Sequence, residues 1–278
     1  MKRFIYILFL LPLLVFSQNE MKIMSYNIRL GLVDDGANHW NIRKEKLTDL
    51  MQYYEPSFIG MQEVQKMQLD YLLDKMKKYD YIGLPRDAGE WAEYSCIFYK
   101  KEEFKLLQQN TIWLSQTPDT ISKGWDAAFP RIVTYGLFKN KKSGAKFWVT
   151  NTHFDHVGLT ARMESAKMLV KLTDDLKKIK NVPVIITGDF NAKPEENTLQ
   201  HLMQNFNEAS SMSIEKPYGE KDTWNGFNFS KKPESQIDYI FFNKNSILKV
   251  EKFITIDDHY DFKYPSDHLP IMATFIYK

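Results

Sequence analysis

Six short segments place acids, amides and histidines at the ends of apolar runs: Tyr26-Asn27-Ile28, Met61-Gln62-Glu63-Val64, Asn151-Thr152-His153-Phe154, Gly188-Asp189-Phe190-Asn191, Ile237-Asp238-Tyr239-Ile240 and Ser266-Asp267-His268-Leu269-Pro270. Singly, each has an ordinary structural use. An Asp before a turn is an N-cap or Asx-turn residue, a lone His beside apolar residues sits half-buried, and Glu63 after a buried strand caps the next helix. As a set they hold what hydrolysis of a phosphate ester requires: groups for a hard cation, a base for water, and donors for the phosphoryl oxygens. Carboxylates and amides with no cysteine around them suit Mg2+, with Mn2+ or Ca2+ as alternatives. The histidines alternate with carboxylates, so His–carboxylate pairs are available to fix tautomers. Zinc is the rival use of His and Asp, but there is no His-x-x-x-His pair or Cys cluster to support it; His153 and His156 are only three apart.

These segments need strands and helices to position them. Strand-like runs recur at 22–29, 57–62, 94–100, 132–138, 146–152, 182–187, 237–241 and 271–276. Between them lie helical patterns at 42–54, 65–78 and 195–205. A fourth spans 159–179, where Leu159, Met163, Ala166, Leu169, Leu176 and Ile179 make one apolar stripe. Mixed strands and helices over this length fit one α/β domain. Most strands are apolar on both faces and need cover on both sides; periodicity alone does not choose between a doubly wound sheet and two packed sheets. No repeat, low-complexity tract or Pro/Gly-rich linker divides the chain, so a single domain is expected over 20–278.

The 278 residues are 44% hydrophobic, 14% aromatic and 26% charged, which excludes a disordered chain, a collagenous repeat and a disulfide scaffold. Lys2 and Arg3 precede an apolar run from Phe4 to Phe16, then Ser17, Gln18 and Asn19. That order reads as a secretory signal peptide over 1–19; the run is short of the about 20 apolar residues of a membrane span. The alternatives are an uncleaved anchor or a buried first strand. Export to the periplasm or the medium is therefore expected. Removing Lys2 and Arg3 from the 37 basic residues leaves them equal to the 35 acidic ones, whereas a protein that holds long nucleic acids usually carries a basic excess. Cys96, the single cysteine, sits in a strand-like run and reads as a small buried thiol.

The order Asn27, Glu63, His153, Asp189-Phe-Asn191, Asp238 and Ser-Asp267-His268 resembles the endonuclease/exonuclease/phosphatase superfamily, over about residues 21–277. Glu93-Tyr-Ser-x-Ile-Phe-Tyr-Lys100, Ser122-Lys-Gly-Trp-Asp-Ala-Ala128, Pro130-Arg131 and Asn151-Thr-His-Phe-Asp-His156 look like a bacterial branch of secreted members grouped near the deadenylase-like enzymes. The resemblance implies a four-layer α/β sandwich, two packed mixed β-sheets flanked by helices, as in deoxyribonuclease I. It also implies roles. Glu63 is the main metal ligand with Asn27 beside it. Asp189 orients or deprotonates the attacking water, and Asn191 holds a phosphoryl oxygen. His268 is the second acid/base or phosphate-binding group, oriented by Asp238 or Asp267. His153 donates to the phosphate or leaving oxygen, with Glu93 in the place of the glutamate that supports it. Arg131 is a phosphate contact, since a guanidinium can bind two oxygens at once. Trp125 and Trp224 are expected to contribute to the pocket. Asp155 and His156 either widen the site or bind a second metal, or else satisfy the turn before the 159–179 helix. Arg162 pairs with a carboxylate of the site or is solvated.

The implied activity is an exported Mg2+-dependent phosphoesterase with in-line attack of an activated water. The alternatives are a 3′–5′ exonuclease or deadenylase-like nuclease on RNA or DNA, and a catalytically inactive binding module of the same fold. The expected partner is a phosphorylated small molecule, a glycan, a lipid head group or a nucleic acid. A monomer without stable membrane insertion is expected.

Overall fold

The structure, a computed structural model, describes residues 19–277. Residues 1–18, nearly all of the expected signal segment, lie outside the described residues. Twelve strands form two six-stranded sheets. The first has the order β11 (Lys249–Thr255), β12 (Ile271–Tyr277), β1 (Asn19–Asn27), β2 (Phe58–Gln65), β4 (Glu93–Lys100), β3 (Tyr79–Ile82). The second runs β5 (Phe104–Trp113), β6 (Ile132–Asn140), β7 (Lys146–His153), β8 (Val184–Asp189), β10 (Asp238–Asn243), β9 (Phe206–Glu208). Both are mixed. In each sheet one pair is parallel, β1 with β2 and β7 with β8, and the other pairings are antiparallel.

Three apolar layers account for the strands that read as apolar on both faces. Between the sheets, Met21, Ile23, Phe58 and Phe275 meet Phe138, Phe147, Val149 and Ile240. Outside the first sheet, α1 (Trp40–Tyr54) and α2 (Lys66–Lys75) bury Leu47, Leu50, Leu69 and Leu72 against Ile59 and Phe98. Outside the second, α3 (Leu159–Ile179) and α4 (Asn197–Asn205) bury Leu169, Leu176, Leu199 and Leu202 against Trp148, Ile186 and Phe241. The result is helix, sheet, sheet, helix, the expected four-layer sandwich. Among the described residues no helix is long and apolar enough to cross a membrane.

Each parallel pair is joined by a helix, α1 between β1 and β2 and α3 between β7 and β8, so their C-terminal ends lie at the same end of each sheet. Strand ends of this kind collect ligands in α/β folds. Below those ends a buried polar bridge crosses the sheet interface. Asn151 Nδ2 donates to Met61 O (2.8 Å) and Cys96 O (2.9 Å), while its Oδ1 accepts from Gln62 Nε2 (2.7 Å) and Thr187 Oγ1 (3.0 Å). Gly60 belongs to the same contact: a Cβ there would lie 2.0 Å from Thr187 Oγ1.

Candidate active site

His153 ends β7, Asp189 ends β8 and Asp238 begins β10. The ladder sets His153 and Asp238 each directly opposite Asp189. Asn27 ends β1 in the other sheet. Glu63 is aimed by a different device. The sequence suggested a strand ending at 62, but β2 continues to Gln65 through an irregularity between Met61 and Val64, and Glu63 there has φ +60°. A bulge of this type re-aims one side chain out of the ladder. Asn191, just past β8, has φ +47°. Left-handed backbone at non-glycine residues costs of order 1–3 kcal/mol and clusters at functional sites.

The polar contacts converge. Asn27 Nδ2 donates to Glu63 Oε1 (3.0 Å) and Asp189 Oδ2 (2.9 Å), and Leu30 N donates to Glu63 Oε2 (3.0 Å). Asn191 N donates to Asp189 Oδ1 at 2.9 Å. The Asn191 amide nitrogen donates to Phe154 O (3.0 Å) and lies 3.1 Å from His153 Nε2. With the nitrogen so placed, His153 Nε2 is the acceptor. Asp189 Oδ2 is 3.5 Å from His153 Nε2 and 3.8 Å from His268 Nε2. Of the two acids offered as partners for His268, Asp238 takes the role, Oδ2 to Nδ1 at 2.8 Å. Asp267 instead faces Arg29 at 3.8 Å.

The two histidines are pushed in opposite directions. Burial opposes charge on His268, but Asp238, Asp189 and Asp267 raise its pKa well above the ordinary value. Burial, with the Arg131 and Arg86 cations and His268, lowers that of His153 well below it. The surroundings thus favour the charged form of His268 and the neutral form of His153; titratable groups pushed apart in this way mark acid and base roles. Burial and the Asp238 charge push Asp189 up to about 7.

Glu63, Asp189, Asn191, His153, Asp267 and His268 line one cleft of about 460 Å3, together with Arg29, Arg86, Glu93, Phe129, Arg131, His156 and Trp224. Arg131 Nε is held by Asp155 Oδ2 (3.2 Å) and its Nη2 lies 3.1 Å from His156 Nδ1. Asp155 also accepts from Val157 N (3.0 Å) and Gly158 N (2.8 Å), so it serves the turn before α3 and both of its oxygens are engaged. His156 does widen the cleft. Arg162 pairs with Glu196 (3.3 Å), away from the cleft lining.

Two expectations change. Trp125 is not among the residues lining the cleft. Its neighbour Asp126 accepts from Thr160 N (3.1 Å) and Ala161 N (2.6 Å) and ties that stretch of loop to the start of α3, so the loop presents Phe129 and Arg131 instead. Glu93 does not hold His153: Oε2 is 4.0 Å from Nδ1, beyond a hydrogen bond, and the carboxylate grips Arg86 through Nη1 (2.8 Å) and Nη2 (2.6 Å). Arg29, Arg86 and Phe129 carried no signal in the sequence, since Arg29 merely closes a strand-like run and the other two stand in ordinary loop composition.

Two donor sets suit a divalent cation. Asp189, Asp238 and His268 bring one ligand atom each within 4.8 Å of one another, although His268 Nδ1 is already engaged by Asp238. Glu63 and the Asn27 amide form the other, with Asp189 alongside. In this second set the Asn27 amide nitrogen sits between two carboxylates, and its oxygen, accepting from Arg29 N at 3.0 Å, keeps one lone pair for an ion. Burial, with the nearby Glu63 charge adding to it, also raises Asp267. Apart from the His268 nitrogen the donors are hard oxygens in a region crowded with acids, so they fit a hard divalent cation.

Known proteins share this fold. A structure described as an endonuclease/exonuclease/phosphatase family protein from Bacteroides thetaiotaomicron superposes with TM-score 0.89 at 32% identity, covering 94% of this chain and 99% of that one. A mannosyl-6-phosphatase from Bacteroides thetaiotaomicron VPI-5482 gives 0.88 at 33% identity, over 92% of this chain and 100% of that one. The CCR4-Not complex 3′-5′-exoribonuclease subunit Ccr4 of Mycosarcoma maydis is 24% identical over 344 residues; these include 93% of this chain but only 51% of that relative, so the chain spans about half its length. The model of the Endonuclease/Exonuclease/phosphatase family matches residues 24–268, and the chain belongs to that family, whose members hydrolyse phosphate esters.

Proposed function

We propose that the protein is an exported, Mg2+-dependent hydrolase of a small phosphorylated molecule, with a sugar phosphate or phosphorylated glycan as the first candidate, acting as a monomer. The observation that carries this is the single cleft in which Glu63, Asp189, Asn191, His153 and His268 share a wall with two buried arginines. Its volume of about 460 Å3 is within the range of sites that enclose small ligands. The mannosyl-6-phosphatase likeness and the balanced charge of the chain without Lys2 and Arg3 point the same way. Export rests on Lys2, Arg3 and the apolar run after them.

Glu63 and Asn27 would hold the cation, which when bound supplies Lewis acidity and neutralises phosphoryl charge. Asp189, oriented by Asn27 and the Asn191 N–H, takes the proton of the attacking water. The His268 cation, held by Asp238, faces the phosphoryl oxygens, while the Asn191 amide, its hydrogens given to Phe154 O and His153 Nε2, orients His153. His153, neutral and with Nε2 toward Asp189, stands on the other flank of the attack. A nuclease is the second reading, favoured by the exoribonuclease relative.

The test offers the purified protein p-nitrophenyl phosphate, bis-p-nitrophenyl phosphate, hexose 6-phosphates, single-stranded RNA and duplex DNA, with Mg2+, Mn2+ or EDTA. EDTA-sensitive turnover of the small esters alone is expected. Shortening of the RNA from its 3′ end in preference to the small esters would install the nuclease reading. No turnover of any substrate would favour the inactive binding module.

A further inference from the structure

Glu93 stands where a partner for His153 is implied, yet both of its oxygens engage Arg86, Oε2 accepting from Nη1 at 2.8 Å and Oε1 lying 2.6 Å from Nη2. Arg86 is fixed from every side. Its backbone N–H donates to Glu93 O (2.8 Å), its carbonyl accepts from Trp113 Nε1 (2.6 Å), and its guanidinium carbon lies 4.8 Å from the centre of the Phe129 ring. Arg131 is fixed in parallel fashion, Nε on Asp155 and Nη2 beside His156. His156 in turn stacks on Phe129, with the planes 16° apart. Both arginines line the cleft, and both are more than nine-tenths buried.

Two buried cations fixed in one wall are costly to assemble unless something uses them, because a buried polar group without a partner loses its hydration. Here each keeps a donor without a hydrogen bond among the described residues, Arg131 Nη1 and Arg86 Nε, the latter 3.8 Å from Asp87 Oδ2. An anion in the cleft is the group they lack. The two common phosphate esters differ in what they offer such a wall. A monoester brings three free oxygens and about −1.5 to −2 charge at neutral pH. A diester brings two free oxygens and a single charge, and its second substituent must also be placed somewhere in the cleft.

We propose that Arg86 is a specificity-determining residue which, with Arg131, selects a terminal phosphate over a phosphodiester, and that Glu93 is the positioning residue for Arg86 instead of the support of His153. The inference rests on the phosphoesterase reading of the same cleft and adds the class of ester and the residues that choose it.

The test compares the wild type with Arg86→Lys and with the double variant Arg86→Gln/Glu93→Gln. The double variant removes both buried charges together, so that neither is left uncompensated. Initial rates on p-nitrophenyl phosphate and bis-p-nitrophenyl phosphate give the monoester-to-diester ratio of kcat/KM. Protection against thermal unfolding by inorganic phosphate gives binding without turnover. The wild type should prefer the monoester, and in the double variant the ratio should fall about ten- to a hundredfold, the worth of a charge-assisted hydrogen bond or two. The loss should appear in KM, with weaker phosphate protection. Arg86→Lys, which keeps the charge and loses the fork, should fall between. Equal loss on both esters carried by kcat would show Glu93 serving His153 and overturn the proposal, as would a wild type that prefers the diester. Should the wild type turn over neither ester, the phosphoesterase reading fails, and the phosphate titration still decides: protection unchanged in the double variant overturns the role of Arg86, and weakened protection supports it.

Discussion

Asn151→Ala removes the bridge between the sheets two residues before His153. Four hydrogen bonds disappear with the amide, two given to carbonyls of the first sheet and two accepted, one from each sheet. At a net worth of about 1 kcal/mol each they sum to about 4 kcal/mol. The donors that lose Asn151 keep other acceptors: Gln62 Nε2 retains Ser25 Oγ and Gly60 O, both at 3.2 Å, and Thr187 Oγ1 retains Thr150 O at 3.1 Å. A water in the space left behind recovers part of the rest. The expected loss is therefore about 2–4 kcal/mol, less than the stability of an ordinary domain, so the variant should still fold. Urea unfolding followed by tryptophan fluorescence, with midpoints compared at a common slope, measures it. Asn151→Asp is the control. It places an oxygen where Nδ2 now faces two carbonyl oxygens, and it should cost more than alanine. A loss below about 1 kcal/mol for alanine, or aspartate tolerated better than alanine, would refute the account of this bridge as the tie between the sheets.

Gly60→Ala drives a Cβ to within 2.0 Å of Thr187 Oγ1 and 2.7 Å of Asn151 Oδ1; the same urea assay should show a loss of about 1–3 kcal/mol or more, and a neutral outcome would mean the sheets separate easily here. For Asp155, burial alone would raise the carboxyl pKa, but the N–H groups of Gly158, Ala128 and Val157, with Arg131, hold it well below the usual carboxylate range. Its stabilisation is complete above the unfolded value near about pH 4 and is lost as pH falls through the folded value. Asp155→Asn should cost about 2 kcal/mol at neutral pH, and unfolding measured at successively lower pH should show the gap from wild type narrowing; a gap that widens in acid contradicts the sign. Glu63→Gln should lower kcat/KM at least about a hundredfold and move the Mg2+ activation midpoint upward while the circular dichroism spectrum stays as in wild type. Undiminished turnover would remove Glu63 from the metal site.

What the sequence shows and hides has a physical boundary. The eight strands legible as apolar runs are β1, β2, β4, β6, β7, β8, β10 and β12, and these are the eight interior strands of the two sheets. The four that were missed, β3, β5, β9 and β11, are the four edges. An interior strand has sheet on both sides and cover on both faces, so its composition is forced toward continuous apolarity. An edge strand has neither constraint in full and is commonly made short or polar to discourage further pairing. β5 illustrates this with Leu106-Leu107-Gln108-Gln109-Asn110, where no residue is fully buried and periodicity has nothing to report.

The same boundary runs through the site. Asn27, His153, Asp189 and Asp238 are placed by ladder register, so each carries a strand in front of it or behind it as a marker in the sequence. Glu63 is placed by a bulge, and its motif was legible although the strand was read as ending three residues too soon. Arg86 and Phe129 are placed by contacts between loops and a strand start, Arg86 on Glu93 and Phe129 beside the Arg86 guanidinium, and such contacts have no period and no fixed spacing; Arg131, held by Asp155, was legible through its place in the family motif. It follows that the reacting centre can be kept while the wall beside it changes, because the ladder does not depend on which residues the loops present. Function lives in the site grafted on the fold; here the half that performs hydrolysis was written in strand ends, and the half that chooses the ester was written in loops. That division is why the motifs announce a phosphate ester without naming it, and why the arginine wall is the place where the choice of substrate is made.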